Sequence, residues 1–221
     1  MIGKNEKHAV LIGAGELEPD VADIIKKNVL ENTTFIIALD GGLVFCAEHN
    51  IEPDMIVGDF DSLPPQKQVL LKNYPQDMIY KLPCEKDDTD TLAAIRLAIE
   101  KGYEQFVIYG GLGGRLSHTI ANIQSLMYLK ERGLQGELVG DNSRIFLIKD
   151  ESVTLAAQDK GYISVFSYSE VSQGVTLKNL KYEVEDAELC NSFPIGVSNE
   201  FIGKEADVSV KKGVLLVVVE E

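Results

Sequence analysis

Short apolar runs, each closing on glycine or a polar residue and each followed by a stretch with helical spacing, alternate along positions 8–148. The runs at 8–12, 34–39, 55–57, 78–82 and 105–109 have strand length. Between them, 21–30, 43–49, 66–73, 91–101 and 118–131 read as helices. In 91–101, Leu92, Ile95, Ala98 and Ile99 fall on one stripe, and Gly102 stands where a helix would end. Two further strands, 137–139 and 144–148, complete this half. Strands alternating with helices predict an α/β fold built on a mostly parallel sheet covered on both faces.

After Lys149 the rhythm changes to short alternating segments at 153–156, 162–168, 175–184, 207–210 and 214–219, with glycine or polar turns between them. This predicts a smaller all-β unit. Lys211-Lys212-Gly213 reads as the turn of a hairpin joining the last two strands. The expected division is an α/β domain over 1–149 and a β domain over 150–221.

The 221 residues fit one large domain or two small ones, and 45% hydrophobic with 25% charged residues is globular composition. The longest apolar run, 214–219, has the length of a strand and not of a membrane span, and residues 1–8 do not form a secretory signal. A cytoplasmic protein is expected. Asp and Glu outnumber Lys and Arg 35 to 21, for a net charge of −14. Such a field repels a phosphate backbone, so no nucleic-acid partner is expected, and an anionic ligand needs local positive help. Cys46, Cys84 and Cys190 are odd in number with no C-x-x-C spacing, and are expected as buried apolar fillers. Three histidines without H-x-x-x-H leave a hard cation on carboxylates as the expected kind of metal site.

Ligands of an open parallel sheet bind beyond the carboxyl ends of its strands. Asp40 follows one strand, Asp59 and Asp61 another, and Gly110 to Gly114 with Arg115 a third, while Asp87, Asp88 and Asp90 precede a helix. On extended backbone the i, i+2 spacing of Asp59 and Asp61 puts both carboxylates on one side, where they could grip one Mg²⁺; an Asp-rich turn before Ser62 and Pro64 uses the same residues. Asp87-Asp88-Thr89-Asp90 supplies more carboxylates than a helix cap requires. The glycine cluster lets backbone N–H groups approach phosphate oxygens, with Arg115 as a charged fork and Ser117 as an expected N-cap. It completes neither G-x-x-x-x-G-K-[ST] nor G-x-G-x-x-G. His118 fits proton transfer or a structural role, Asn122 lies one turn on, and Ser198-Asn199-Glu200-Phe201 reads as a polar turn followed by an aromatic.

Together, D-G-G at 40–42, G-D-F-D-S at 58–62, D-D-T-D at 87–90, G-G-R-L-S-H at 113–118 with Asn122, and S-N-E-F at 198–201 resemble the thiamine pyrophosphokinase family over nearly the whole chain. The resemblance implies an α/β catalytic, ATP-binding domain and a C-terminal β-sandwich. It also implies a homodimer with thiamine held between one subunit's catalytic domain and the other's sandwich, and diphosphate transfer from ATP to thiamine with Mg²⁺, releasing AMP. By position, Asp59, Asp61, Asp87 and Asp90 look like metal and phosphate-site residues. Asp40, Thr89 and Arg115 look like substrate or ATP contacts, joined on the binding side by Gly113, Gly114, His118 and Asn122. Ser198 and Asn199 are similar to the residues that meet the thiamine ring. Ser117 stands where the family usually carries an aspartate, and Phe201 where a larger ring is expected. Diphosphate transfer to another hydroxymethyl heterocycle, such as a pterin, is a second enzymatic reading. A non-catalytic thiamine or nucleotide sensor is the reading that Ser117 alone supports.

Overall fold

The computed structural model describes residues 7–31, 34–60, 63–83 and 87–221. The chain divides into two compact units, Met1–Asp141 and Asn142–Glu221. In the first, β1 (His8–Ile12), β2 (Thr34–Leu39), β3 (Met55–Gly58), β4 (Ile79–Lys81), β5 (Gln105–Tyr109) and β6 (Gln135–Val139) lie in the order β6-β5-β1-β2-β3-β4. Every adjacent pair is parallel. Among the described residues four α-helices accompany them: α1 (Pro19–Glu31), α2 (Gly42–Glu48), α3 (Asp90–Glu100) and α4 (Leu116–Lys130).

The strands that become central are the most apolar, because a parallel sheet covered by helices has no wet face. All five residues of β1 are buried. Val10 and Ile12 of β1, Ile36 and Ala38 of β2, and Ile56 of β3 pack with Val21, Ala22 and Ile25 of α1 and with Leu43 and Cys46 of α2. Each such side chain contributes about 1.5–3 kcal/mol by leaving water. Helix α1 starts at Pro19, whose fixed φ and missing N–H suit a first helical position, with Asp20 at the positive end of the dipole. The stretch expected as a helix over 66–73 is instead a 3₁₀ turn, Gln68–Asn73, entered from Pro64-Pro65.

From β1 the chain steps outward through β2, β3 and β4, and then α3, packed on β1, β2 and β3, carries it back to β5 on the other side of β1. The direction of winding reverses between β1 and β5. Ligands of open α/β sheets bind at such a reversal, beyond the carboxyl ends of the strands, and no single segment of sequence encodes it.

The second unit has two antiparallel sheets. One runs β12 (Asn199–Glu200), β9 (Tyr162–Ser167), β14 (Val214–Glu220), β7 (Ser143–Lys149); the other runs β11 (Val184–Cys190), β10 (Val171–Lys178), β13 (Ala206–Ser209), β8 (Ser152–Leu155). Ile163, Val165, Leu215 and Val217 of the first share a core with Leu155, Val175, Leu177 and Val208 of the second, which makes the unit a sandwich.

Strand β7 pairs with β14 along its whole length, from Ser143↔Glu220 to Lys149↔Val214, and so belongs to the second compact unit. Two expectations change here. The single strand expected over 175–184 is the hairpin β10–β11. Its second arm lies at a sheet edge with Glu185, Asp186 and Glu188 exposed and Leu189 buried, so it lacks the apolar alternation that announces a strand. Lys211-Lys212-Gly213 is not a hairpin turn, because β13 and β14 belong to different sheets; the backbone of Lys211 and Lys212 bonds to Gln173 of β10 instead. Among the described residues no helix is long and apolar enough to cross a membrane.

Candidate active site

The carboxyl ends of β1, β2, β3 and β5 are drawn together by glycines that leave no room for a side chain. A Cβ on Gly13 would stand 2.8 Å from the Gly110 carbonyl oxygen, one on Gly15 2.6 Å from the same atom, and one on Gly110 2.7 Å from that of Gly13. The Gly13 N–H donates to Tyr109 O at 2.8 Å and the Gly15 N–H to Gly110 O at 3.1 Å, which laces together the loops after β1 and β5. A Cβ on Gly42 would meet Ile12 O at 1.9 Å, so α2 begins directly against the end of β1. Beside it, the Asp40 N–H donates to Val57 O at 2.9 Å, and a Cβ on Gly58 would stand 3.2 Å from the Asp40 Cα.

Of the predicted carboxylates, Asp40 and Asp59 therefore leave adjacent strand ends. Asp40 has φ 45° and Phe60 φ 64°, left-handed backbone that costs on the order of 1–3 kcal/mol at a non-glycine residue and persists only where packing compels it. At Phe60 packing does compel it, since the side chain is buried in the core beneath the sheet. This turn breaks the extended backbone on which the Asp59–Asp61 reading rested; Asp61 itself lies outside the described residues. The Leu82 N–H, just past β4, donates to Gly58 O at 2.9 Å. Ahead of α3, Asp87 is exposed, Asp88 pairs with Arg96 at 2.6 Å, and Thr89 is the N-cap of α3, its Oγ1 accepting from the Leu92 N–H at 3.2 Å. Asp90 is the first residue of α3.

Among the described residues no three Asp, Glu, His or Cys side chains gather closely enough to hold a metal ion. The donor chemistry of Asp59 and Asp90 nonetheless suits Mg²⁺, which keeps several waters, takes substrate phosphates as ligands and needs only one or two protein carboxylates.

The Gly110–Gly114 loop enters α4 with Gly110, Gly113 and Gly114 at φ 64°, 78° and 61°. Arg115, not Ser117, is the N-cap of α4, and Ser117 lies exposed in the first turn. Arg115 and His118 are exposed, and the Arg115 guanidinium engages no described side chain. Asn122 is buried, with its Nδ2 donating to Gly111 O at 2.7 Å. Thr119, three residues earlier on the same face, donates from Oγ1 to Gly113 O at 3.2 Å. Thr119 escaped the sequence reading, although its spacing from Asn122 was the available signal.

In the second unit, Ser198 is exposed at φ 56° and its N–H donates to Ser164 Oγ at 3.0 Å. Asn199 is buried; its Oδ1 accepts from the Tyr182 N–H at 3.0 Å and the Glu200 N–H at 2.9 Å, and its Nδ2 donates to Tyr182 O at 2.7 Å. Asn199 thus fixes the backbone on which the exposed Tyr182 ring stands, while Phe201 is buried in the sandwich core. Of the cysteines expected as fillers, Cys46 is buried, and burial pushes its thiol up to about 12. Cys190 is half-buried, with Sγ 3.4 Å from Ser192 Oγ, and Cys84 lies outside the described residues.

The chain thus joins an α/β unit, with acidic residues and a glycine loop at its strand ends, to a β-sandwich. Residues 26–137 match the family model of the thiamin pyrophosphokinase catalytic domain, and residues 150–215 that of the thiamin pyrophosphokinase vitamin B1 binding domain. The chain belongs to the thiamin pyrophosphokinase family. It is 29% identical to a thiamine pyrophosphokinase of Bacillus subtilis over 84% of this chain and 86% of that one. It is 24% identical to thiamin pyrophosphokinase 1 of Caenorhabditis elegans over 83% and 78%. A crystal structure of the Bacillus subtilis enzyme superposes with a TM-score of 0.85 at 27% identity, covering 97% of this chain and 99% of that one. The yeast enzyme shares the fold, with a TM-score of 0.77 at 17% identity over 100% and 87%.

Proposed function

We propose that this protein transfers the diphosphate of ATP to the primary hydroxyl of thiamine, giving thiamine diphosphate and AMP. The observation that carries the reading is the match of both units, in order, to the catalytic and vitamin-binding halves of one family. The hydroxyl oxygen attacks the β-phosphorus, the bond from that phosphorus to the α,β-bridging oxygen breaks, AMP leaves with that oxygen, and the hydroxyl proton passes to a base. Asp40 and Asp90 are the candidates for the base, of which a loose transition state demands little.

Such a site must align the attacking oxygen, exclude water and stabilise charge on the transferred group. Arg115 and the N–H groups of the glycine loop supply that stabilisation. Asp59, Asp61, Asp87 and Asp90 would hold Mg²⁺, which when bound shields the charge of the triphosphate. Thr89 presents its backbone at the α3 N-terminus, and His118 stands at the start of α4 beside Arg115. The surplus negative charge of the protein attracts the thiazolium cation. In the same proposal the protein works in the cytoplasm as a homodimer, with the surface around Ser198 and Asn199 of one subunit completing the thiamine site of the other.

The test is product analysis of purified protein with Mg-ATP and thiamine. Equal amounts of AMP and thiamine diphosphate are expected. Formation of ADP with thiamine monophosphate, or turnover with a hydroxymethylpterin and none with thiamine, overturns the reading.

A further inference from the structure

The loop from Gly110 to Gly113 turns every one of its carbonyls into the protein. Gly110 O accepts from the Gly15 N–H at 3.1 Å, and Leu112 O lies 3.0 Å from the position a Cβ on Gly15 would take, so both face the loop after β1. Gly111 O accepts from Asn122 Nδ2 at 2.7 Å and Gly113 O from Thr119 Oγ1 at 3.2 Å, so both face α4. Across a trans peptide the C=O of one residue and the N–H of the next point in opposite directions. With the Gly111 and Gly113 carbonyls held on α4, the N–H groups of Leu112 and Gly114 are aimed away from it. Among the described residues, neither these nor the Gly113 N–H finds an acceptor. The result is a rim of donors beside the exposed Arg115, in a protein whose overall charge would otherwise repel an anion.

We propose that Thr119 and Asn122 are positioning residues: from one face of α4 they hold the two loop carbonyls that aim the Leu112 and Gly114 N–H groups at the phosphates of ATP. This rests on the diphosphate-transfer reading above. It gives Asn122 a place behind the loop in place of direct contact with nucleotide, and it gives Thr119 a function that its own side chain, turned to Gly113, performs without touching substrate. Neither residue handles thiamine, so their loss should separate the two substrates kinetically.

Thr119→Val removes the donor and keeps the shape, while Thr119→Ser keeps the donor. One hydrogen bond of this kind corresponds to about a 3- to 10-fold change. Thr119→Val is expected to raise KM for Mg-ATP by about that factor with KM for thiamine within about twofold of wild type, and Thr119→Ser to restore it. Hydrogen exchange of the 110–116 segment should quicken in Thr119→Val and return to normal in Thr119→Ser. Asn122→Leu should act in the same direction and more strongly, because Gly111 O is left unpaired in a buried place. Should it fail to fold, the Thr119 pair still decides. Unchanged KM for Mg-ATP in Thr119→Val, or equal rises for both substrates, overturns the proposal. If the clamp variants bind Mg-ATP normally while Arg115→Ala does not, the clamp alone is wrong. If the wild-type protein makes no AMP, the underlying reading falls and the clamp with it.

Discussion

Gly15→Ala tests whether the loops after β1 and β5 must touch for the site to exist. The new methyl carbon would stand 2.6 Å from Gly110 O, 3.0 Å from Gly110 C and 3.0 Å from Leu112 O. All three are backbone atoms, so no flexible side chain can swing aside. Reaching the 3.4 Å of ordinary contact requires the loops to part by about 0.8 Å. That movement strains the Gly15 N–H to Gly110 O bond and shifts the donor rim relative to Asp40 and Asp59. Overpacking of this size costs roughly 1–3 kcal/mol of stability. A displacement approaching 1 Å at a catalytic site costs on the order of 10- to 100-fold in kcat/KM. The assay is AMP formation at limiting ATP, alongside thermal unfolding. Gly133→Ala is the control: its φ is 73°, but nothing lies within 4 Å of the added carbon. It should cost about 1–2 kcal/mol for left-handed backbone and leave kcat/KM unchanged. Wild-type kcat/KM in Gly15→Ala, or an equal loss in both variants, would refute the idea that contact between these loops builds the site.

Other outcomes follow from the same geometry. Asp59→Asn should lower turnover by about 100-fold or more with the fold intact; full activity would remove Asp59 from the phosphate site. Ser117→Asp adds a carboxylate in the first turn of α4, where the helix dipole favours it by about 0.3–1 kcal/mol. AMP formation should stay level or fall, whereas an inactive protein that gains turnover from this change would favour the sensor reading. The Cys46 thiol keeps its proton up to about 12 in the folded state and releases it near 9.0 when unfolded. Deprotonation therefore favours the unfolded chain, so this contribution to stability is complete below about pH 9 and is lost as pH rises towards 12. Urea unfolding of wild type and Cys46→Ala between pH 8 and about 10.5 should show a difference that shrinks with pH; a constant difference would contradict the assignment.

The strands of the first unit were legible because a buried parallel sheet writes continuous apolar runs, and β2 and β5 begin and end where their runs do. The acidic strand ends were legible for the same reason, since Asp40 and Asp59 come directly after such runs. The edge strand β11 was not, because the adjacent acids Glu185 and Asp186 break the alternation. The start of α4 was not legible, because Ser117 suits an N-cap by side chain, while the backbone turn made by Gly113 and Gly114 sets the N-cap two residues earlier, at Arg115.

Residue order alone determined that Asp40, Asp59, Asp90 and a glycine cluster each sit at the end of a strand or the start of a helix, because local periodicity marks those ends. Which ends become neighbours depended on the crossover through α3 that puts β5 beside β1, a long-range pairing with no local signature. Only the folded chain could show that Gly13, Gly15 and Gly110 meet backbone to backbone, or that Asn122 Nδ2 donates to the Gly111 carbonyl. A side chain's direction is settled by what packs against it, and here those partners come from segments far apart in the chain.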